Sequence, residues 1–362
     1  AAEGTANTPW QVGAPIVTYW CGPAMSEASA TQMKEGGWNL VWCGEGDLDL
    51  VHRHGLRGQL THPLLSPATL ETPEARQKLE TLVARVKSHP ALYAYYVTDE
   101  PNATNFPGLG RLVAWLRERD PAHLAYINLF PTYANNEQLG TAGDTVTAYR
   151  KHLQLYLEQV KPALISYDHY QFAVNGDQPD YFLNLAMIRQ IALESGLPFL
   201  NIVQACTWTP SMRVPSPDEM RYLVYTTLAY GAQGISYYVY SCAGHKGMIA
   251  AADGTPTPLY HALKTLNREF AAIAAQLQPL RSLGVYHAGM QPPGAAPLPQ
   301  DAAFTLDPPV TPMPFSPPER ARGVLIGCFG PANASSAQAT HAVVVNLDYK
   351  TDAVLGVKGP KA

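Results

Sequence analysis

The sequence of 362 residues has little charge, few cysteines and none of the short motifs that mark metal or nucleotide sites. Charged side chains make up only 15% of the residues and the net charge is −4, which argues against a nucleic-acid partner. Five cysteines are present, but no Cys-x-x-Cys and no cysteine–histidine spacing of a zinc site, so we expect neither a metal nor a cofactor. No apolar run approaches the roughly 20 residues that a transmembrane helix needs, so we expect no membrane span.

Signatures of three common enzyme classes are also missing. The segment Trp20-Cys21-Gly22-Pro23 matches neither the glycine-rich turn of a dinucleotide-binding fold nor the His-x-His of a metal-dependent amidohydrolase barrel. Neither Ser166 nor Ser241 lies in the G-x-S-x-G turn of a serine hydrolase.

The first nine residues are small and polar and include no Met, as in a chain that has lost a secretory signal. We therefore expect a secreted or periplasmic protein.

The sequence does contain a repeated unit, in which a short apolar run with high β propensity is followed by a loop and an amphipathic stretch. Eight runs are predicted strands: Ile16–Trp20, Leu40–Cys43, Arg57–Thr61, Leu92–Val97, Leu124–Asn128, Leu164–Tyr167, Phe199–Val203 and Gly234–Tyr238. Helices are clearest at Thr72–Ser88, Phe106–Arg119, Thr145–Val160, Asp180–Ser195, Ser216–Tyr230 and Pro258–Leu277. Eight such units in about 265 residues predict a (β/α)8 barrel, an α/β fold.

The pattern changes near residue 280. A proline-rich stretch from Gln291 to Pro318 reads as an extended connection, and two alternating runs follow it, Gly323–Phe329 and His341–Leu347. We therefore predict a catalytic barrel over residues 1–280 and a proline-rich connection with a small β-domain over residues 281–362.

In such a barrel the active site lies at the carboxyl ends of the strands. The residues there are aromatic, acidic or amide-bearing and include few Lys or Arg, which favours a neutral carbohydrate over a phosphorylated substrate. Aromatic residues at these positions also often fill the core. Besides the acids discussed next, the candidate substrate-binding residues are Trp20, Glu45, His62, His169, Tyr170, Gln204, Trp208, Tyr238 and Tyr240.

The fourth predicted strand ends in the segment Tyr95-Tyr96-Val97-Thr98-Asp99-Glu100-Pro101-Asn102. This segment resembles the fourth-strand Asn-Glu-Pro motif of the retaining-glycosidase barrel clan. The segments 89–93 and 228–235 are similar to those of β-galactosidase-like barrels, and the resemblance covers roughly residues 10–280. It implies a glycoside hydrolase, of the kind secreted for polysaccharide degradation. By the same resemblance, Glu100 is the general acid and Asp99 contacts the sugar hydroxyl next to the reacting carbon.

The seventh strand departs from that clan, which places a nucleophilic Glu where this sequence has Gln204. Either Gln204 replaces a Glu, or a second carboxylate comes from elsewhere. We favour Asp168, at the end of the sixth strand, as a base about 6.5–9.5 Å from Glu100, a separation that leads to inversion. Glu45 and Asp47 are the next candidates. A polysaccharide lyase and a glycan-binding barrel without activity remain alternatives.

The cysteines form two pairs at equivalent positions on neighbouring predicted strands, Cys21 with Cys43 and Cys206 with Cys242. Neighbouring strands lie about 4.8 Å apart, within disulfide reach. We expect one or both pairs to be cross-linked and Cys328 to be free, with buried thiols as the alternative.

Overall fold

The computed structural model describes residues 8–360, so most of the N-terminal segment behind the expectation of secretion lies outside the described residues. Eight parallel strands form one sheet: β1 (Ile16–Val17), β2 (Leu40–Cys43), β3 (Arg57–Leu60), β4 (Leu92–Asp99), β5 (Leu124–Leu129), β6 (Ile165–His169), β7 (Phe199–Gln204) and β8 (Gly234–Tyr238). Their order is β1-β8-β7-β6-β5-β4-β3-β2, the order of a barrel opened between its first two strands. The predicted (β/α)8 fold is therefore confirmed.

Hydrogen bonds from residues beside and on the strands close the seam between β1 and β2. The backbone N–H of Asn39 donates to the carbonyl of Val17 at 3.0 Å, and the hydroxyl of Thr18 donates to the carbonyl of Leu40 at 2.9 Å. The indole N–H of Trp42 donates to the carbonyl of Tyr19 at 2.7 Å. These bonds join the sheet edges and make the strand ends one continuous rim.

Within residues 8–360, eight helices of six or more residues follow the strands: α1 (Glu27–Glu35), α2 (Leu48–Arg53), α3 (Pro73–Val86), α4 (Phe106–Arg119), α5 (Thr145–Gln159), α6 (Tyr181–Ser195), α7 (Pro217–Ala229) and α8 (Pro258–Leu277). A further helix of one turn, Asn136–Leu139, precedes α5. Several begin at side-chain caps, as Ser216 shows by accepting a hydrogen bond from the backbone N–H of Glu219. The six helices expected from periodicity are present. The short helices α1 and α2 were not expected, because nine and six residues give too few turns for an amphipathic pattern.

Apolar side chains form two layers of core. Between strands and helices lies a large cluster, and inside the barrel lies a second one that includes Ile16, Leu40, Ala94, Leu124 and Leu200. The barrel interior is therefore filled below the strand ends, and the side chains at the carboxyl ends of the strands border its upper rim.

The chain after α8 forms a three-stranded antiparallel sheet, β9 (Arg281–Gly289), β10 (Gly323–Gly330) and β11 (His341–Asn346), in the order β9-β10-β11. A ribbon pairs Thr305–Asp307 with Gly356–Lys358. Strand β9 was not expected. The sheet packs on α7 so closely that a Cβ on Gly327 would lie 2.1 Å from the carbonyl oxygen of Ala229.

No helix within residues 8–360 is long and apolar enough to cross a membrane.

Candidate active site

Glu100 reaches the mouth of the barrel because β4 does not end as a regular strand. The register between β4 and β5 shifts between Tyr96 and Thr98, and Glu100 itself adopts the left-handed conformation with φ 43°. Its backbone N–H donates to the carbonyl of Asn128 at 2.8 Å. Consecutive side chains on a strand normally point to opposite faces, but here Asp99 and Glu100 line the same cavity. Such a conformation costs a residue other than Gly about 1–3 kcal/mol and is concentrated at functional sites.

Three carboxyl groups meet at this point. The carboxyl group of Asp168 lies beside that of Glu100, close enough for the two groups to interact directly, and both border the same cavity. The amide nitrogen of Asn128 donates to Asp168 at 2.8 Å and to Asp99 at 3.0 Å. Ser166 holds this amide by donating to its oxygen at 3.0 Å. The separation of about 6.5–9.5 Å expected between Glu100 and Asp168 is not supported, because the two carboxyl groups interact directly.

Burial raises the pKa of every member of this cluster, and repulsion from neighbouring carboxylates adds to the rise for Glu100 and Asp168. Burial, followed by the charge of Asp99, raises the pKa of Glu100 to about 7, although the hydrogen bond with Asp168 opposes the rise. Burial and the charges of Glu100 and Asp99 raise the pKa of Asp168 well above its usual range. Burial raises the pKa of Asp99, while hydrogen bonds from Asn128 and the N–H of Glu100 oppose it. The pair Glu100–Asp168 therefore keeps a proton near neutral pH.

The carboxyls border a cavity of about 220 Å³. Its lining consists of three acids, one amide and four aromatic residues: Asp99, Glu100, Asp168, Asn128, Trp20, Tyr170, Trp208 and Tyr238. The rings of Tyr170, Trp208 and Tyr238 contact one another with centroids 4.9–5.1 Å apart. Trp20 packs edge-on against Trp42 at 4.8 Å, which fixes its plane. Seven of the predicted site residues thus lie together, and all four aromatic ones among them can offer ring faces to a sugar.

Four other predicted residues do not line this cavity. Glu45 pairs with Arg85 at 2.6 Å on the surface, and His62 accepts the backbone N–H of Leu64. Tyr240 is fully buried and its hydroxyl bonds to Gln32. His169 is also buried. Its Nδ1 bonds to Asn184 at 2.9 Å, and burial lowers its pKa to about 4.

Gln204 lies where the clan keeps its nucleophile, but it is 1% exposed and its side chain bonds only to backbone. Its amide nitrogen donates to the carbonyls of Phe172, Arg213 and Cys206 at 3.2, 2.8 and 3.4 Å. Its oxygen accepts the N–H of Phe172 at 2.9 Å. The amide is required to donate here, so Gln204 ties together the loops after β6 and β7 and has no free atom for a substrate. The hypothesis that it stands in for a nucleophilic Glu is therefore not supported.

The expected cysteine pairs are not present, since all five thiols are free. Cys43 is the last residue of β2, and its sulfur packs against β3, since a Cβ added to Gly58 would lie 2.8 Å from it. Cys21, Cys206 and Cys242 instead share one cluster beside the cavity. The pairing of Cys21 with Cys43 was predicted from equivalent positions on neighbouring strands. The chain turns at Cys21, which has φ 46°, so Cys21 does not continue the direction of β1.

Two solved structures with a similar fold are β-galactosidases. The cold-adapted β-galactosidase from Rahnella sp. R3 matches 78% of this chain and 58% of its own, with a TM-score of 0.54 at 14% identity. The β-galactosidase from the psychrophilic Marinomonas ef1 matches 73% of this chain and 60% of its own, with a TM-score of 0.52 at 13% identity.

This chain shares its fold with those barrels. It spans about three fifths of the length of both, and at such low identity the likeness concerns the fold alone. No family model and no curated protein sequence matches.

Asn128 is the site residue that the sequence analysis did not select. In the sequence it is a polar residue at the end of the fifth strand, but only the structure shows that its amide donates to two carboxyl groups.

No group of three or more His, Cys, Asp or Glu side chains within residues 8–360 is arranged to hold a metal ion.

Proposed function

We propose that this protein is a glycoside hydrolase in which Glu100 is the general acid. The observation that carries the proposal is a carboxyl group whose pKa is raised to about 7, placed in an aromatic-lined cavity at the carboxyl ends of the barrel strands. A general acid works best when its pKa lies near the working pH, because it is then still protonated and yet gives up its proton readily.

Asp168 is fully buried and in contact with Glu100, so we propose that it shares the proton of Glu100 rather than holding a water. Asp99 is the most exposed of the three carboxylates, and its role would be to bind the substrate or the attacking water. Since Gln204 offers no nucleophile, the attacking group would be a water or a group of the substrate itself.

The polysaccharide-lyase alternative receives no support from the cavity, because none of its lining residues is Lys or Arg and a lyase acts on an acidic sugar. A carbohydrate substrate, polysaccharide degradation and a secreted or periplasmic location all belong to the proposal. The sugar is not specified by it.

The test is Glu100→Gln, assayed on a panel of oligosaccharides and polysaccharides. The variant should keep its fold and lose roughly 10²–10⁴-fold in kcat, the contribution of a positioned acid. Glu45→Gln is the matched control, since Glu45 lies on the surface outside the cavity, and it should keep wild-type turnover. Near wild-type activity of Glu100→Gln would remove Glu100 from the mechanism, and a product absorbing in the ultraviolet would indicate a lyase.

A further inference from the structure

Three thiol groups meet at the rim of the barrel, in a cluster that the proposed reaction does not use. Cys21 follows β1, Cys206 follows β7 and Cys242 follows β8. They pack with Val239 and Met248 directly behind Trp208 and Tyr238 of the cavity wall.

Within this cluster, Cys21 and Cys242 lie next to each other. Strands β1 and β8 run parallel in one register that extends beyond β1 to a bridge between Trp20 and Tyr238, the last residue of β8. After the bridge, the backbone N–H groups of Tyr240 and Ser241 both donate to the carbonyl of Cys21 at 3.2 Å. This places Cys242 next to Cys21 along the rim, and both side chains pack against the same cluster.

Cys206 differs from this pair in its surroundings. It is fully buried, in contact with Val239 and Met248. Cys21 and Cys242 are both partly exposed, so a reagent in solution can reach them.

We propose that Cys21 and Cys242 form a disulfide by exchange with a small-molecule or protein disulfide. A thiolate of one cysteine attacks the oxidant and releases one thiol, and the second cysteine then displaces the other. One protein S–S bond forms, the S–S bond of the oxidant breaks, and its two sulfurs leave as thiols. The bond would join the end of β1 to the loop after β8, the two segments that carry Trp20 and Tyr238 of the cavity wall.

This cross-link would close a loop of roughly 220 residues, a length for which the loss of chain entropy in the unfolded state is large. The oxidised protein should therefore melt a few degrees above the reduced one. Cys21→Ser should show no difference between the two conditions, whereas Cys328→Ser should behave like the wild type, because Cys328 lies in the C-terminal sheet.

The deciding experiment is a cysteine map of the full chain. The protein is incubated with oxidised glutathione, alkylated without reduction, digested and analysed by mass spectrometry. We expect a linked peptide containing Cys21 and Cys242, with Cys43, Cys206 and Cys328 alkylated. The linkage should persist in Cys206→Ser and disappear in Cys242→Ser. Five alkylated thiols, or a linkage through Cys206, would overturn the proposal, and the wild-type map gives this answer even where a variant does not fold.

Discussion

At the scale of single residues, Glu100 combines three features that oppose stability. It has a left-handed backbone, a largely buried carboxyl and two further acids within contact range. A residue that only ends a strand requires none of these three features. A Gly or Asn would adopt the same backbone conformation at a lower cost in free energy. The surrounding barrel stabilises an arrangement whose result is a protonated acid at the opening of a cavity, which is the arrangement that an acid catalyst requires.

The charge of Asp99 contributes to the raised pKa of Glu100, which predicts how the pH profile responds to its removal. In the wild type, kcat should fall as the pH rises through about 7, because Glu100 loses its proton there. Asp99→Asn removes the neighbouring charge, so the pKa of Glu100 should drop and the fall should begin at lower pH. Profiles of kcat against pH for both proteins check this. An unchanged alkaline limb would mean that another group controls it.

The same raised pKa predicts the effect of Glu100 on stability. The folded state holds the proton of Glu100 up to about pH 7, whereas the unfolded chain releases it near 4.5. The free energy of unfolding therefore decreases as the pH rises from about 4.5 through 7, because the folded state binds more protons. Glu100→Gln lacks this loss and should be more stable than the wild type at pH 8, with a smaller difference at pH 4.5. Urea unfolding at the two pH values measures it, and an equal difference at both would contradict the prediction.

At the scale of structural elements, the end of β7 shows how one amide organises the rim. Gln204 donates to backbone carbonyls of the loops after both β6 and β7, and these loops carry Tyr170 and Trp208. The amide of Gln204 therefore fixes two aromatic walls of the cavity. This explains why the amide, rather than a carboxylate, is present.

Gln204→Glu should therefore not create a better enzyme. A carboxylate there would face the carbonyl oxygens of Phe172 and Arg213 with no proton to donate, and would be buried without a partner. We expect a loss of about 2–4 kcal/mol in the free energy of unfolding and reduced turnover. Gln77→Glu, on the exposed face of α3, is the control and should change neither. Faster hydrolysis by Gln204→Glu, together with a trapped glycosyl-enzyme, would restore the nucleophile hypothesis.

The sequence predicted which segments form strands and helices better than it predicted the backbone conformation at the ends of the strands. Hydrophobic periodicity and turn residues were sufficient for eight strands and six helices, and the segment around Glu100 was sufficient to select a carboxyl group that lines the cavity. The register shift in β4, the φ of Glu100 and the turn at Cys21 could not be predicted, because each depends on contacts with a neighbouring strand. For the same reason the contact between Glu100 and Asp168 and the role of Asn128 required the structure.

At the scale of the whole molecule, the C-terminal segment is joined to the barrel by core and by charge. Val285, Leu325 and Val345 belong to the same apolar cluster as the barrel helices. A division at residues 280 and 281 remains a prediction. A chain that ended at residue 280 would leave that face of the cluster uncovered, which argues that the barrel depends on the segment for its stability.

Arg320 provides the most specific of these connections. It donates to Asp177 at 2.6 and 3.1 Å and to Glu219 at 2.6 Å, and all three side chains are at least nine-tenths buried. Burial alone would raise the pKa of Glu219, but hydrogen bonds from Arg213 and Arg320 outweigh it and hold the pKa at about 2. The guanidinium also covers the ring of Phe172, in the hairpin that follows Tyr170.

Arg320→Ala should therefore affect both the fold and the cavity. The carboxylate of Asp177 would stay largely buried with only Arg213, 3.6 Å away, so we expect a loss of about 3–5 kcal/mol in the free energy of unfolding. The control is Arg322→Ala, two residues along, whose partner Glu319 is exposed and whose removal should cost less than about 1 kcal/mol. Denaturant unfolding of both variants measures the difference. Equal and small losses would show that the charge network does not anchor the segment, whereas a large loss only for Arg320 would make residues 281–360 part of the framework that holds Tyr170 beside Glu100.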